Sequence, residues 1–192
     1  TDYTGANAVI WTWNAEDAPS DATPAKPSND NEVFSSGVMT KSGFTLVKSS
    51  QTPTITITET AGSKAGTTSN ITVNPAALND FVVTPSTYSP TTDNAFTVTL
   101  TARDIYQNTK TDYAGADKSV AWTWATGGSA SPKGTSATKA TDGVQTFTSG
   151  VTAAISGFKL VKTETATLTA TADTKSGTSS TITAGPGALN DF

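Results

Sequence analysis

An internal repeat is the feature that most constrains what this chain can fold into. Ala77-Leu78-Asn79-Asp80-Phe81 returns 111 residues further on as Ala188-Leu189-Asn190-Asp191-Phe192. Four more blocks recur in the same order at offsets between 110 and 114 residues, beginning at Thr1 and Thr111, Trp11 and Trp122, Phe34 and Phe147, and Ser42 and Ser156. A fixed period sets the size of the folding unit. The sequence therefore predicts successive copies of one module of about 110 residues.

The composition argues against several classes of function. The chain has 12 Lys and Arg against 16 Asp and Glu, a formal net charge of −4, so it lacks the basic surface that nucleic acid or an anionic membrane requires. It has no Cys and no His, which removes disulfides, thiolate zinc sites and the usual general base. No apolar run approaches the ~20 residues of a membrane-spanning helix. We therefore expect a protein that is not an enzyme, with no catalytic, metal or cofactor residues, no nucleic-acid partner and no membrane span in this segment.

Alternation of apolar and polar residues predicts strands rather than helices. In the complete copy, seven segments have the pattern of short strands: Leu78–Val83, Asn94–Arg103, Ser119–Trp124, Val144–Thr148, Thr152–Val161, Thr165–Ala172 and Thr178–Thr183. In Thr165–Ala172 every second residue is Thr, which suits the solvated face of a pleated strand. The fold class predicted is all-β, with tandem immunoglobulin-like antiparallel β-sandwiches of about seven strands each.

The register of the repeat predicts three parts. Residues 1–75 are a partial repeat, residues 76–187 a complete repeat, and residues 188–192 the start of a further one. The partial repeat lacks counterparts of Leu78–Val83 and Asn94–Arg103. Those strands would bury five large apolar side chains, worth on the order of 10 kcal/mol, while a whole domain is stable by only about 5–15 kcal/mol. We therefore expect preceding polypeptide or a neighbouring molecule to supply the missing strands, as in a slice of a longer periodic protein.

Three groups of residues resemble a known family. They are Leu78–Pro85, the run from Phe96 through Asp104 to Asn108, and Tyr113-Ala114-Gly115 with the closing segment Ser176–Thr183. Together they resemble the tandem bacterial immunoglobulin-like (Big, invasin/intimin-like, filamin-like) repeats of large secreted and cell-surface proteins, over essentially the whole chain. Such repeats commonly carry Gly just before the Asn of the turn, where this chain has Gln107.

The resemblance implies a structural repeat of a long extracellular or cell-surface protein, acting as a stalk, shaft or filament component. Its expected partners are adjacent repeats and copies of itself, through strand completion or lateral association of edge strands that carry few charges. The alternative is an adhesin module that binds a surface glycan or another surface through its loops or exposed Trp. The loops Asn14–Asn31 and Ala125–Gly143 differ most between the copies and occupy one position in the module.

Several residues suggest sites, each with a simpler interpretation. Trp11/Trp13 and Trp122/Trp124 could form a sugar-binding platform, but the two-residue spacing from Val120 favours a core position for at least one Trp of each pair. Asp104, Asn108 and Asp112 could contribute oxygen ligands to Ca²⁺, and Asn29–Glu32 is similar in kind, but turn chemistry is the favoured interpretation. An ice-binding Thr array and a Lys–Asn cross-link are disfavoured, because sandwiches twist and the first two strands of the complete copy carry no Lys.

Overall fold

A computed structural model of the chain describes residues 3–188, which divide into two compact units. The first unit runs to Pro75 and includes Tyr106–Asn108, and the second comprises the rest of the chain from Ala76. Every regular element among residues 3–188 is a β-strand, and all of the paired strands are antiparallel. The prediction of an all-β chain without helices is confirmed for this range. The repeat of Leu78–Phe81 at Leu189–Phe192 lies outside the described residues.

The first unit contains a four-stranded sheet. Its strands are β1 (Gly5–Trp13), β2 (Asp30–Phe34), β3 (Ile55–Glu59) and β4 (Ala65–Thr67), in the spatial order β2-β1-β3-β4. Alternation along β1 turns Val9 and Trp11 towards the interior, where both are buried. In the register with β3, Trp11 lies opposite Ile57.

The second unit contains a nine-stranded sheet. Its strands are β5 (Leu78–Pro85), β6 (Ala95–Asp104), β7 (Gly115–Thr126), β8 (Gly143–Thr148), β9 (Val151–Thr152), β10 (Ile155–Lys159), β11 (Thr165–Ala172), β12 (Lys175–Thr178) and β13 (Ile182–Thr183). The main path is β10-β6-β9-β8-β7-β11-β12, with β5 paired to β6 and β13 to β11. The first predicted strand, Leu78–Val83, and the second, Asn94–Arg103, correspond to the antiparallel pair β5 and β6.

This nine-stranded sheet is nearly closed, because β12 lies against β5. The approach is so close that a Cβ atom placed on Gly177 would fall 1.7 Å from the carbonyl oxygen of Phe81. Only glycine permits two backbones to come this near. The strands enclose one core built from alternate residues of β5, β6, β7, β8, β10 and β11: Phe81, Val83, Phe96, Val98, Leu100, Val120, Trp122, Phe147, Phe158 and Leu168.

Two of the predicted strands are interrupted, so the second unit has nine strands where the sequence predicted about seven. Thr152–Val161 is divided into β9 and β10, with a register irregularity between Ile155 and Phe158 where Gly157 has φ +105°. The predicted strand Thr178–Thr183 corresponds to the end of β12 and to β13. β12 begins earlier than predicted because Asp173 and Thr174 both have positive φ and form a tight turn after β11.

Candidate functional site: a groove in the first unit

The repeated sequence blocks make the same aromatic contacts in both units. The rings of Tyr3 and Phe34 meet edge to face with centroids 4.9 Å apart, and those of Tyr113 and Phe147 do so at 4.8 Å. Tyr3 and Tyr113 come from the repeated block that begins at Thr1 and Thr111, and Phe34 and Phe147 begin another repeated block. Each pair is joined to a tight turn, since the N–H of Gly37 donates to the carbonyl of Tyr3 and that of Gly150 to the carbonyl of Tyr113.

The strands that carry the Trp pairs, β1 and β7, also make equivalent contacts in the two units. The rings of Trp11 and Phe44 lie 5.2 Å apart at 76°, and those of Trp122 and Phe158 lie 4.9 Å apart at 71°. The backbone N–H of Trp11 donates to Asn29 Oδ1 at 2.8 Å. The N–H of Trp122 donates to Asp142 Oδ1 at 2.9 Å.

The two units differ in how far these aromatic residues are covered. Tyr3 is 37% exposed, whereas Tyr113 is 7% exposed. Phe34 is only half-buried, whereas Phe147 is fully buried. In the second unit the ring of Phe81, on β5, lies 5.7 Å from the ring of Tyr113 and 5.9 Å from that of Phe147. A residue of β5 therefore covers the pair that remains open in the first unit.

An open groove of about 420 Å³ lies beside this exposed pair. Its lining comes from β1, β2, β3, β4 and the adjoining turns: Tyr3, Val9, Phe34, Gly37, Ile57, Glu59, Lys64, Ala65 and Gly66. Most of these residues are apolar or are glycine, so the groove suits apolar groups and a closely approaching backbone.

Gly66 corresponds to Gly177 in the second unit. Ile57 pairs with Gly66 across β3 and β4, as Ala170 pairs with Gly177 across β11 and β12. A Cβ atom on Gly66 would meet only Ile57 Cγ2, at 3.9 Å. Backbone fills the space beside Gly177, while the space beside Gly66 belongs to the groove.

The hydroxyl group of Tyr3, at the groove, is hydrogen-bonded to a carboxylate. The Tyr3 hydroxyl donates to Glu59 Oε1 at 3.0 Å. Desolvation, followed by this hydrogen bond and the charge of Glu59, raises the pKa of Tyr3 above its usual value. In the second unit the Tyr113 hydroxyl donates to Asp173 Oδ2 at 2.8 Å, and burial together with Asp173 raises the pKa of Tyr113 well above its ordinary range. Both phenols therefore donate a hydrogen bond to a carboxylate.

Each of the three residues considered as calcium ligands makes a hydrogen bond within the protein. Asp104 is buried and its Oδ2 accepts the N–H of Ala76 at 2.9 Å. Asn108 accepts the N–H of Ser49 and donates to the carbonyl of Val47, within the first unit. Asp112 accepts from Lys110 Nζ at 2.9 Å. Residues 3–188 contain no group of three or more acidic residues placed to hold a metal ion.

The Asn29–Glu32 segment has structural roles of the same kind. Asn29 accepts from the backbone of Trp11, and Asp30 accepts the N–H of Asn31 at 2.7 Å. Glu32 is buried and pairs with Lys41. These groups support the loop that enters β2.

The Trp pairs divide as the core interpretation predicted. Trp11 and Trp122 are buried, and Trp13 and Trp124 are half-buried. The backbone of Gly128 lies directly on Trp124, since a Cβ atom there would fall 2.3 Å from Trp124 Cγ. The part of the Trp124 ring next to Gly128 is therefore closed to a sugar, while Trp13 and the rest of Trp124 are only half-buried.

The two variable loops are partly tied to their units. Ala18, in the loop Asn14–Asn31, is buried, and Glu16 forms an ion pair with Lys48. In Ala125–Gly143, the N–H of Ser129 donates to Glu164 Oε1 at 2.9 Å. Gly127 is also held close to the backbone, because a Cβ atom there would fall 2.5 Å from the carbonyl oxygen of Thr165.

Sequence reasoning did not identify the groove or its lining. The signal was present in the register. Leu78–Val83, which has no counterpart in residues 1–75, contains Phe81, and the rings that Phe81 contacts, Tyr113 and Phe147, have Tyr3 and Phe34 as their repeated equivalents. The close approach at Gly177 had no sequence signal, since glycine in a strand is also compatible with a bulge or a turn.

Comparisons with known proteins do not define a class. No protein-family model matches the chain, and no curated protein matches it. Among solved structures, the chain is similar to the crystal structure of a beta-glycosidase from Bacteroides vulgatus, at 11% identity and a TM-score of 0.36, over 94% of this chain and 25% of that one. The chain thus spans about a quarter of that protein's length. A likeness this weak informs neither the fold nor the activity. Residues 3–188 contain no helix that could cross a membrane.

Proposed function

We propose that this chain is a structural segment of a long extracellular or cell-surface protein, built from tandem immunoglobulin-like β-sandwich modules and acting as a stalk or filament component. It is not an enzyme in this proposal. Its resemblance to bacterial immunoglobulin-like repeats, carried by the sequence blocks, supports the same role. The partners are neighbouring modules and further copies of the chain.

The observation that carries the proposal is the repetition of one framework. The same edge-to-face Tyr–Phe pair, and the same contact between a strand Trp and a Phe ring, occur in both units. Asn29 and Asp142 accept the same backbone hydrogen bond although they differ in charge. Repetition of packing contacts, with divergence in the loops, is what a spacer requires, because each module has only to fold and to connect to the next.

The outward faces of the strands support a structural role as well. Thr12, Thr56 and Thr67 lie opposite one another across three strands, and Thr123, Thr169 and Thr178 do the same in the second unit. The hydroxyls of Thr56 and Thr67 are 2.8 Å apart, as are those of Thr169 and Thr178. Such rows provide a neutral, hydrogen-bonded surface with high strand propensity.

The alternative of a glycan-binding adhesin module is less well supported. Trp11 and Trp122 are buried, and Gly128 lies against part of the half-buried ring of Trp124. A carbohydrate platform needs an aromatic face that a sugar can reach. A glycan array with the Trp124→Ala variant as control separates the two functions: we expect no signal that depends on Trp124.

The proposal is tested on the organism that encodes the chain. Antibodies raised against the purified chain should label intact cells or material released from them, and brief protease treatment of intact cells should remove the label. Labelling that appears only after the cells are permeabilised would refute an extracellular role. Antibody against a cytoplasmic protein of the same cells serves as the control for lysis.

A further inference from the structure

We propose that the first unit is the acceptor for a β-hairpin with the sequence pattern of β5 and β6, supplied by polypeptide outside the two units. One strand of the hairpin fills the groove with a Phe ring, and the other pairs along a second open edge, at residues 44–46. Because the occupant is inferred from the second unit, this partner rests on the proposed function, in which the two units are copies of one module.

The second unit shows what fills the position of the groove. There, β5 places Phe81 against Tyr113 and Phe147, with ring centroids 5.7 Å and 5.9 Å away, and Phe81 is buried. The equivalent rings of the first unit, Tyr3 and Phe34, border the open groove. An extended strand with Phe at the position of Phe81 would therefore cover the Tyr3–Phe34 pair.

The first unit has a second opening, at Phe44 and Leu46. These two side chains are only half-buried, whereas their equivalents in the second unit, Phe158 and Leu160, are fully buried. The cover in the second unit comes from β6, whose Phe96 ring stacks on that of Phe158 with centroids 5.9 Å apart. Within residues 3–188, the sheet of the first unit has no strand in the position of β6.

The backbone at this second opening is paired on one side only. The N–H and carbonyl of Thr45 bond to Ala25 at 2.8 Å and 3.0 Å, as those of Lys159 bond to Thr138 at 3.1 Å and 2.9 Å. In the second unit the opposite edge of that segment pairs with β6. In the first unit the opposite edge has no backbone pairing within the part of the chain that the structure describes. A free edge of this kind can accept an added strand.

Val38 continues the same edge. It is 67% exposed, whereas its equivalent Val151 is half-buried and pairs with Thr101 of β6. The carbonyl of Gly150, next to Val151, accepts the N–H of Ala102 at 2.8 Å. The positions left open in the first unit are thus those that β5 and β6 cover together in the second.

The occupant is a hairpin because β5 depends on β6 for its backbone hydrogen bonds. A single strand in the groove would leave those backbone groups without their partner strand. Another copy of this chain does not provide the hairpin, since in each copy β5 and β6 already form part of the core of the second unit. The partner is therefore other polypeptide, with Phe on the core-facing side of both strands, as Phe81 and Phe96 are placed in β5 and β6.

The test is titration of the full-length chain with a synthetic peptide of residues 77–104, which contains both strands. We expect one peptide to bind per chain and hydrogen exchange to slow in residues 34–38 and 44–46. Peptides with Phe81→Ala or Phe96→Ala should bind on the order of 100-fold more weakly. Exchanging Phe81 and Val82 in the peptide keeps its composition but turns the ring to the opposite face, and should weaken binding as much.

Gly66→Ala tests the acceptor. A Cβ atom on the equivalent Gly177 would fall 1.7 Å from the carbonyl oxygen of Phe81, so a strand seated as β5 is would collide with a methyl group at Gly66. That methyl group otherwise meets only Ile57 Cγ2, at 3.9 Å, so the first unit keeps its structure. Binding should fall on the order of 10-fold or more. Gly143→Ala, where nothing lies within 4 Å of the added Cβ atom, is the matched control and should bind as the wild type does.

Three results overturn the proposal. The first is equal binding of all the peptides, which would show apolar adhesion without a register. The second is equal binding of the peptide by Gly66→Ala and the wild type. The third is slower exchange confined to the second unit, which would show that the peptide replaces β5 and β6 there.

A grafted chain provides the same test if the peptide does not stay in solution. Residues 76–110 are joined directly before Thr1, where the register of the repeat places them, and urea unfolding is followed by hydrogen exchange in each unit. The first unit should unfold at a higher urea concentration than in the chain without the graft, and a graft with Phe81→Ala and Phe96→Ala should lack this gain. An unchanged midpoint overturns the proposal. Neither experiment decides whether cells display the protein, so failure here is distinct from failure of the proposed function.

Discussion

Replacing Gly177 by Ala should destabilise the second unit, because β12 and β5 meet there without room for a side chain. The new Cβ atom would fall 1.7 Å from the carbonyl oxygen of Phe81 and 2.6 Å from its carbonyl carbon. An ordinary carbon–oxygen contact is about 3.3 Å or longer. The two strands would therefore have to separate by roughly 1.5 Å. The clashing atoms are backbone, so no side-chain rotation relieves the contact.

The size of the effect follows from what the separation disturbs. Overpacking of this kind typically costs about 1–3 kcal/mol, and occasionally more. If β5 were displaced completely, the burial of Phe81 and Val83 would be lost, which sets an upper range of about 3–6 kcal/mol. A loss of about 2 kcal/mol would lower the melting temperature of a unit this size by on the order of 10 °C.

The assay is urea unfolding followed by hydrogen exchange and mass spectrometry, which reports peptides from each unit separately. Gly66→Ala is the matched control: it faces no backbone, and an Ala in place of Gly should leave stability within about 0.5 kcal/mol or raise it slightly. If Gly177→Ala unfolds at the same urea concentration as wild type, β12 does not approach β5 as described and the sheet is open at that point.

Three further predictions concern the second unit. Asp142→Ala should lower the stability of the second unit by removing the acceptor of the Trp122 N–H, while Asp142→Asn should preserve that hydrogen bond. Because this N–H and Lys139 lower the pKa of Asp142, the stability that the wild-type carboxylate contributes is present above the usual carboxyl pKa and is lost as the pH falls through the lowered pKa. Urea midpoints of the wild type and the variants at neutral and acid pH measure this difference. Trp122→Ala should cost about 3–5 kcal/mol in thermal unfolding, because the ring is 2% exposed in the core. Tyr113→Phe should cost about 0.5–1.5 kcal/mol by losing the bond to Asp173, and ultraviolet titration of the wild type should show Tyr113 ionising well above the usual tyrosine range, with the pKa of Tyr3 also raised.

Each of these has a result that contradicts it. Equal acid sensitivity in wild type and Asp142→Asn would show that this carboxylate carries no pH-dependent stability. A tolerated Trp122→Ala would remove Trp122 from the core. Tyrosines that all ionise in the normal range would remove the buried phenol hydrogen bond.

The regular strands could be predicted from the sequence because alternation determines which face is buried. Thr165–Ala172 was predicted with the bounds that β11 has, and Asn94–Arg103 differs from β6 by one residue at each end. The turns could not be predicted as well. Ser149, Asp173 and Thr174 have positive φ, and a non-glycine residue in that conformation has a weak sequence signal. Gln107 likewise has φ +62°, a conformation that glycine adopts at less steric cost.

The sequence predicted an incomplete first unit but not the groove. The register of the repeat indicated that the first unit lacks counterparts of two strands. It did not indicate that the opening would lie beside the Tyr3–Phe34 pair, because side-chain exposure depends on contacts between residues far apart in the sequence. The prediction that other polypeptide completes the partial repeat 1–75 stays a prediction.

The threonine rows determine how the outer faces of the sheets respond to salt. Thr169 and Thr178, like Thr56 and Thr67, satisfy each other's hydroxyls instead of relying on ion pairs. Dissolved ions weaken contacts between charges but have little to screen on a face of hydroxyls and methyl groups. Such a surface should therefore keep the same hydrogen bonds and the same solvation from low to high salt.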